Sequence, residues 1–432
     1  MNILLINPPN CGRSIPEERY GITSLKQIFR GEPLALEELA GNLRHHDVRI
    51  VDLKAEPDGL DQILSSFIPD VVGITGVTCE ANTMLHLAGQ IKKSCRAIVV
   101  VGGIHASNDP HFFNRESVDF IVMGLGKKVF SDLITALETG EDEGTSIPGV
   151  VRTTPGKKLI IAPFRNSEVD LVEDKPAAYD LVSKYRSHYI LEKLGINMGF
   201  VASAYGCPHR CSFCCIHDQT AGSYLTKSID AVIRDIGLLG DIPVIRLVDA
   251  NTFGDIKRAG TLGRALLDSG LKKQYLADIR SDTVVRHPEM LREWKEAGLR
   301  AVVIGFEETD NISLTAMNKA NTANINTEAI TVLNEMGISI VGDFIISPDY
   351  DEHDFERLGS YLEGNRIDLP MITVMTPLPG TPLYAEIQSQ ITNHNLDYYT
   401  LTNAVTPTKL DEKQFYTLYA DLLGKSHTAA QI

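Results

Sequence analysis

Short β-rich runs alternate with helical patterns over most of the chain, and this alternation restricts the fold to parallel sheets covered by helices. In residues 1–140 we expect strands at Asn2–Ile6, Val48–Asp52, Val71–Thr75, Ala97–Val101 and Asp119–Val122. The intervening helices are expected at Pro33–Arg44, Leu60–Phe67, Ala81–Lys93 and Lys128–Leu137. This part of the chain is therefore predicted to be a doubly wound α/β domain of the flavodoxin or Rossmann type. Its ligand would lie at the carboxyl ends of the strands.

The alternation stops between residues 141 and 195, where acidic residues and prolines indicate a linker with one hairpin, VVRTTPGKKLIIAP. It resumes over 196–383, where six further β/α units predict a partial (β/α)6 barrel with functional residues at the strand ends. The strands are expected at Gly199–Ser203, Val244–Val248, Gln274–Ile279, Ala301–Ile304, Ser339–Ile345 and Met371–Met375. The helices are expected at Ile229–Leu239, Ala259–Ser269, Pro288–Ala297, Asn326–Met336 and His353–Glu363. Residues 384–432 are expected to form a helical extension.

Charge and composition exclude several classes of protein. The chain has 432 residues with 41 basic and 56 acidic side chains, a formal net charge of −15, which disfavours nucleic acid as a partner. No apolar stretch approaches the roughly 20 residues of a membrane-spanning helix, and residues 1–10 lack the features of a signal peptide. Seven cysteines, an odd number, argue against a disulfide framework. We therefore expect a cytoplasmic protein.

Four of the seven cysteines crowd into the segment YGCPHRCSFCC, directly after a predicted strand. Cys207, Cys211 and Cys214 are separated by three and then two residues. Three thiolates with this spacing can hold an iron–sulfur cube and leave its fourth iron open. The alternative is structural zinc, with Cys215, His209 or His217 as a fourth ligand, but zinc ligands usually occur as two separated pairs. No second pair is present, so an iron–sulfur cluster is the preferred interpretation.

This CxxxCxxC motif, with Phe213 before its last cysteine and a β/α series behind it, resembles that of the radical S-adenosylmethionine (SAM) superfamily. The resemblance implies that Cys207, Cys211 and Cys214 hold a [4Fe-4S] cluster. It also implies that SAM binds the open iron and is cleaved to methionine and a 5′-deoxyadenosyl radical, so that the cofactor performs the difficult chemistry. Cys215 lies outside the motif and is expected to be structural.

Three later segments also match this family, although each match is weaker alone. In Ile245–Asp255, Asp249 and Asn251 are candidates near the SAM amino group, or else cap a strand-end turn. Arg280 and Asp282 follow a strand, where an arginine can pair with the SAM carboxylate, or else form a surface ion pair.

The segment VVIGFEETDNISLTAMNK resembles a third such segment, and Glu307 or Glu308 would face the barrel unless it is a solvated carboxylate at a helix start. The proline-rich stretch Thr376–Tyr384 is expected to be scaffold.

The N-terminal segments ILLINPP, GEPLALEELAGNLR, ITGVTCEANTMLHLAGQIK, VVVGGIHASNDP and DFIVMGLG resemble the cobalamin-binding subgroup of this superfamily. The resemblance implies a cobalamin tail beside Thr75, Thr78 and the Gly102–Gly103 loop, where glycines allow close approach of a bulky ligand. The loop after the first strand, NPPNCGRSIPEERYG, contains no histidine to bind cobalt from below, and the turn GLGKK is also altered. His105 is interpreted as a hydrogen-bonding side chain rather than a ligand. Cobalamin binding and an empty domain that keeps the fold are therefore both open.

The resemblance implies an enzyme that transfers a methyl group to an unactivated carbon, with [4Fe-4S], SAM and cobalamin as cofactors. The alternative is radical cyclisation, rearrangement or oxidation, with cobalamin a spectator or absent. A methylthiotransferase is disfavoured because the chain lacks a second cysteine set and a basic appendage. An iron–sulfur or zinc scaffold protein is the non-enzymatic alternative. The expected partners are a small-molecule or lipid-like substrate and an external electron donor such as flavodoxin or ferredoxin.

Overall fold

The computed structural model describes residues 1–23, 31–140, 146–163, 171, 175–191, 196–220 and 222–428, and within them two mainly parallel sheets organise the chain. Parts of the expected linker, at 141–145, 164–170, 172–174 and 192–195, lie outside the described residues.

The first sheet has the strand order β2-β1-β3-β4-β5-β6. Its strands are β1 (Asn2–Asn7), β2 (Asp47–Asp52), β3 (Val71–Thr75), β4 (Ile98–Gly102), β5 (Phe120–Val122) and β6 (Val150–Arg152). Its helices are α1 (Ile15–Tyr20), α2 (Leu34–Gly41), α3 (Gly59–Ser66), α4 (Ala81–Ser94), α5 (Ile104–Asn108) and α6 (Lys127–Thr139). The first five strands are parallel, and their order confirms the doubly wound prediction.

The expected hairpin over residues 150–163 is wrong. Instead, β6 pairs antiparallel with β5 at the edge of the first sheet, and residues 153–163 form no strand. Val150 and Val151 are buried there, whereas Ile160 in the expected return arm is 90% exposed. Burial against the existing sheet therefore outweighs local hairpin formation.

The second sheet has the order β15-β14-β13-β12-β11-β8-β7. Its strands are β7 (Ile190–Leu191), β8 (Ile196–Val201), β11 (Val244–Leu247), β12 (Gln274–Ile279), β13 (Leu299–Glu307), β14 (Ser339–Ile346) and β15 (Leu369–Val374). A two-stranded ladder, β9 (Ala204–Tyr205) with β10 (Leu225–Thr226), adjoins it. The accompanying helices are α7 (Ile216–Gln219), α8 (Ile229–Leu238), α9 (Ile256–Asp268), α10 (Ser281–Arg286), α11 (Pro288–Ala297), α12 (Asn311–Ala316), α13 (Ala323–Met336), α14 (Glu352–Gly364), α15 (Pro382–Ile387) and α16 (Glu412–Thr428).

The six strands from β8 to β15 are parallel, and the sheet curls into an open half-barrel because β15 and β8 do not pair with each other. Alternate residues face the concave side, and several of these, including Asp278, Gly305 and Asp343, are only partly buried. Their sequence neighbours Ile279, Ile304 and Phe344 point toward the helices and are fully or almost fully buried. The half-barrel therefore encloses a polar lumen, as the predicted (β/α)6 unit requires.

The C-terminal segment ties the two sheets together. The buried Asn403 accepts a hydrogen bond from the Ile15 N–H (2.7 Å) and donates to the carbonyl of Arg13 (2.8 Å). Asn82 on α4 donates to Asp397 (2.9 Å). Helix α16 packs on α14 and β15. In the described part of the chain, no helix is both long and apolar enough to cross a membrane.

A buried set of charges also joins the sheets. Glu38 on α2 lies 3.5 Å from the Lys127 ammonium and 3.3 Å from that of Lys227, and it accepts a hydrogen bond from Tyr205 (2.6 Å). Lys227 is also paired with Asp235 (2.7 Å). Because buried charges that lose a partner are strongly destabilising, this set fixes the sheets in one relative orientation.

Candidate functional site

The motif cysteines lie on the loop that follows β8 and β9, at the carboxyl end of the curled sheet. Neighbouring segments hold this loop: the Ser212 N–H donates to the Met317 carbonyl (2.9 Å), and the Leu383 N–H donates to that of Ser212 (2.9 Å). Asn318 donates to the carbonyl of Arg210 (2.6 Å). The predicted placement after the first strand of the β/α series is therefore confirmed, and two distant segments fix the shape of the loop.

The thiols of Cys207, Cys211 and Cys214 are partly buried and form no disulfide. Burial raises the pKa of Cys211 and raises that of Cys214 to about 12, and the neighbouring thiols add to both effects. Lys319 and Arg280 act in the opposite direction and lower the pKa of Cys211. Cations beside clustered thiols stabilise thiolates, the form in which cysteine binds metal.

The spacing of the thiols distinguishes a cluster from a single ion. Among the described residues, only His45, His46 and Glu138 bring three ligand atoms within 4.8 Å of one another, so the three thiols are spaced more widely. Tetrahedral zinc with bonds of about 2.3 Å would need sulfur atoms about 3.8 Å apart. The three thiols are therefore not arranged as a zinc site, whereas three cysteines on one loop are a donor set that suits an iron–sulfur cube with one open iron.

Asp249, a predicted SAM contact, is fully engaged within the protein. Its carboxylate accepts hydrogen bonds from the Ser203 N–H (2.7 Å), the Ser203 hydroxyl (2.6 Å) and the Ala204 N–H (2.9 Å). Burial raises the pKa of Asp249, although these hydrogen bonds partly offset the effect. The structure places Asp249 as a tie between β11 and the start of the cysteine segment.

Asn251, two residues further on, is placed differently. Its side chain is buried, and its Oδ1 has no hydrogen-bond partner among the described residues. Tyr224 donates to the Asn251 carbonyl (2.9 Å) and so fixes the backbone. A buried acceptor without a donor is costly unless a ligand supplies one, so Asn251 fits the ammonium group of SAM.

Arg280 and Asp282 are brought together at the end of β12. The Arg280 Nε donates to Asp282 (3.0 Å), and its Nη2 donates to the carbonyl of Lys319 (2.9 Å). Both side chains are largely buried, so this is not the surface ion pair of the alternative interpretation. Asp282 orients the guanidinium beside the cysteine loop, where His209 has its pKa lowered by burial and by Arg280.

Glu307 ends β13 in a left-handed backbone conformation, with φ 64°. Its carboxylate pairs with the buried ammonium of Lys319 (2.5 Å). Glu308 instead accepts a hydrogen bond from Tyr350 and lies near Arg357. Of the two candidates, Glu307 is therefore the one beside the lumen, and its strained backbone is typical of functional sites.

Asp343, on β14, is a lumen residue that was not among the predicted site residues. Burial, together with the nearby Glu307 and Asp278 carboxylates, raises its pKa to about 8. Asp278 itself is ion-paired with Arg246. The only sequence signal for Asp343 is a charged residue inside the otherwise apolar strand SIVGDFII.

A second cavity opens at the carboxyl ends of the first sheet, between the sheet and helices α2 and α6. The predicted residues Thr75, Gly102 and Gly103 line it. The remaining lining is small or aliphatic, apart from Phe130 and Gln219: Leu5, Ala35, Leu36, Leu39, Gly73, Ile74, Val100, Val122, Gly124, Leu125 and Gly126. Gly103 has φ 95°, and a Cβ there would lie 2.6 Å from the Thr75 hydroxyl. Glycines thus keep this cavity open, as an extended ligand such as the cobalamin tail requires.

Two N-terminal residues lie away from this lining. Thr78 is buried at the start of the 3-10 helix Thr78–Glu80 and is not part of the cavity wall. His105 is fully buried with its ring edge-on to Phe112 and Phe113, and burial lowers its pKa to about 4. Neither ring nitrogen of His105 has a hydrogen-bond partner among the described residues, so the expected hydrogen-bonding role is wrong and His105 is a packed neutral side chain.

The two sites adjoin each other. Gln219, on the helix that follows the cysteine loop, lines the cavity of the first sheet. Asn108, at the end of α5 in the first sheet, donates from its Nδ2 to the Cys215 carbonyl (3.3 Å). The carboxyl ends of the two sheets are therefore close enough for two cofactors to serve one acceptor.

Comparisons with known proteins agree with this arrangement. A family model described as the B12 binding domain matches residues 26–134, and the radical SAM superfamily matches residues 201–362. An uncharacterised methyltransferase of Pyrococcus horikoshii is 30% identical, covering 95% of this chain and 88% of that protein. The hopanoid C-3 methylase of Methylococcus capsulatus is also 30% identical, covering 90% and 75%.

Among solved structures, the radical S-adenosylmethionine methyltransferase TsrM of Kitasatospora setae, with cobalamin and a [4Fe-4S] cluster bound, shares this fold with a TM-score of 0.74. It is 17% identical in sequence, and the similarity covers 98% of this chain and 91% of TsrM.

Proposed function

Because the chain belongs to the radical SAM superfamily, in the subgroup with a B12-binding domain, we propose that it is a cobalamin-dependent methyltransferase. Its acceptor is an unactivated carbon of a small-molecule or lipid-like substrate. The observation that carries this proposal is the contact between the two sites: the cysteine loop and the glycine-lined cavity meet at Asn108 and Gln219. One acceptor can then reach both a radical source and a methyl donor.

When bound, the [4Fe-4S] cluster supplies an electron for the cleavage of SAM, and cobalamin carries the methyl group. Cys207, Cys211 and Cys214 hold the cluster. The tie from Asp249 to Ser203 and Ala204 sets where their loop leaves β9. Pro208 and Arg210 on this loop are exposed, so an external electron donor such as flavodoxin or ferredoxin can approach the cluster there.

Three groups are positioned to hold SAM. Asn251 offers its unpaired Oδ1 to the ammonium group. Arg280, held by Asp282 and by the carbonyl of Lys319 through its Nε and Nη2, would pair with the carboxylate of SAM. Glu307, fixed by Lys319, is the third group, with its carboxylate beside the lumen.

In the proposed function, cobalamin binds in the glycine-lined cavity of the first sheet. Thr75 offers a hydroxyl at the cavity wall, and Gly102 and Gly103 leave room for close approach. Because the loop after β1 contains no histidine, that loop would supply no imidazole to a bound cobalamin. All seven cysteines are free thiols, which supports a reducing, cytoplasmic setting.

The proposal is tested by anaerobic purification, reconstitution with iron and sulfide, and loading with hydroxocobalamin. SAM labelled with deuterium in its methyl group is then added, with a chemical reductant and lipid or small-molecule extracts as acceptors. We expect 5′-deoxyadenosine together with a product that carries the labelled methyl group. A product of changed mass without the label would instead establish cyclisation, rearrangement or oxidation. A colourless protein that does not cleave SAM would overturn both functions.

A further inference from the structure

Helix α5 links the two sites by direct contacts. It begins after Gly103, which lines the cavity of the first sheet, and ends at Asn108, which contacts the cysteine loop. His105 anchors its middle, fully buried against Phe112 and Phe113. This short helix is therefore held rigidly between the cavity and the loop.

At the cavity end, α5 is bonded to two parts of the wall. The Ser107 hydroxyl donates to the carbonyl of Gly103 (2.9 Å) and accepts from the N–H of Gly124 (2.9 Å). Gly103 and Gly124 both line the cavity. A ligand that displaces either glycine must therefore move Ser107.

At the other end, Asn108 contacts the cysteine segment itself and one of the two segments that shape it. Its Nδ2 donates to the carbonyl of Cys215, one peptide beyond Cys214. Gly380 lies just before α15, whose Leu383 N–H donates to Ser212, and it packs directly over Asn108: a Cβ at 380 would be 2.8 Å from the Asn108 Cβ. Helix α5 also packs on α7, which follows the cysteines.

We propose that Asn108 is a positioning residue that fixes the cluster-bearing loop against the first sheet, so that α5 couples the cobalamin cavity to the cluster site. The coupling goes beyond the proposed function and rests on it only for the identity of the two ligands. Coupling between binding sites is reciprocal. A formed cluster must therefore raise the affinity for cobalamin by the same factor by which bound cobalamin raises the affinity for the cluster.

The first experiment uses no cobalamin and no acceptor. The wild type, Asn108→Ala, Asn108→Asp and the control Asn114→Ala are reconstituted, reduced and mixed with SAM, and the paramagnetic resonance spectrum of the cluster is recorded. Asn114 is a matched control because it also clamps a loop, donating to Thr154 and Lys157, but does not touch the cysteine segment. We expect a changed spectrum in both Asn108 variants and a wild-type spectrum in Asn114→Ala. A wild-type spectrum in the Asn108 variants, or an equal change in the control, would overturn the positioning role.

The second experiment measures the affinity for hydroxocobalamin with and without the reconstituted cluster. In the wild type and in Asn114→Ala we expect the cluster to increase the affinity about fivefold, at the lower end of ordinary coupling between sites. In Asn108→Ala, and in Ser107→Ala at the other end of the helix, the two affinities should become equal. Coupling that persists in both variants, or is absent from the wild type, contradicts the proposal. If the wild type binds no hydroxocobalamin the proposed function fails, and the resonance spectra still decide the role of Asn108.

Discussion

The two sheets share a mainly parallel topology, but their sites are lined by different kinds of residue. None of the described residues that line the cavity of the first sheet carries a charge, and five of them are glycines: Gly73, Gly102, Gly103, Gly124 and Gly126. The lumen of the half-barrel is bordered by charged side chains: Arg246, Asp278, Arg280, Glu307, Lys319 and Asp343. The comparison teaches that strand topology sets where a site lies, whereas the residues that follow or end the strands set which ligand it takes.

The largest expected effect is the loss of the cluster at the charged site, with the cavity of the first sheet left in place. Cys211→Ala removes one of three cluster ligands, so the brown cluster and the formation of 5′-deoxyadenosine should both be lost. Hydroxocobalamin binding by the glycine-lined cavity should survive at reduced affinity. Cys215→Ala, outside the motif, is the control and should keep the cluster. SAM cleavage that persists in Cys211→Ala would show that the cluster is held otherwise.

The next largest expected effect is a loss of hydroxocobalamin affinity at the apolar cavity of the first sheet, with the half-barrel unchanged. Gly102→Leu places a side chain in the cavity at a residue with ordinary backbone angles, and hydroxocobalamin affinity should fall about a hundredfold, roughly 2.7 kcal/mol. Cleavage of SAM should continue, because the half-barrel is unchanged. Gly89→Leu is the control, since a Cβ at this position on α4 meets no atom within 4 Å. Equal losses in the two variants would mean that the cavity does not hold the cobalamin tail.

A smaller effect sharpens the comparison by testing geometry within the charged site. Arg280→Lys keeps the charge but loses the planar fork that contacts Asp282 and the Lys319 carbonyl. We expect SAM affinity, measured by equilibrium dialysis of the reconstituted protein, to weaken about tenfold, or roughly 1.4 kcal/mol. Arg300→Lys is the control, because Arg300 also bonds backbone carbonyls but lies outside the site. Unchanged affinity in Arg280→Lys would assign Arg280 a purely structural role.

The smallest effect concerns pH and the lumen carboxyl of Asp343. Its pKa is raised to about 8 by burial and by Glu307 and Asp278, so the folded protein keeps a proton that the unfolded chain releases above about pH 4. The folded state therefore binds more protons than the unfolded state between pH 4 and 8, and stability falls as pH rises through this window. Asp343→Asn removes this loss, so its advantage over the wild type should grow with pH.

We expect this advantage to increase by about 1 kcal/mol between pH 5 and 8, a figure reduced from the full shift because the side chain is only partly buried. Urea unfolding at the two pH values measures it, with the exposed Asp349→Asn as the control. An advantage that is constant with pH would show that Asp343 is ionised in the folded protein.

Elements with strong local signals could be predicted closely from the sequence. The ranges Gln274–Ile279 and Pro288–Ala297 agree with the structure at both ends, because apolar periodicity and a proline at the first helical turn are local signals. Helices α10 and α12 were not predicted. Each has six residues, and α12 depends on the cap that Asp310 gives to the Ser313 N–H. Such short helices form where tertiary contacts hold them rather than through their own periodicity.

The site could be predicted as a set of strand-end residues but not in its division of roles. Asp249 and Asn251 are two residues apart in the sequence. Their roles differ because Asp249 is hydrogen-bonded to Ser203, 46 residues away, whereas the side-chain oxygen of Asn251 has no partner among the described residues. The contact of Asn108 with the cysteine segment could not be predicted from the sequence, because its partner Cys215 is 107 residues away. Roles that depend on long-range partners require the three-dimensional structure.

Asn403 bonds the backbone at Arg13 and Ile15, almost the whole chain away. During translation, both sheets emerge from the ribosome before this asparagine does. The loops after β1 and β3 therefore stay uncovered by residues 395–403 until that segment has been made. The arrangement that Asn403 gives to the backbone at Arg13 and Ile15 therefore cannot form before residue 403 has been made.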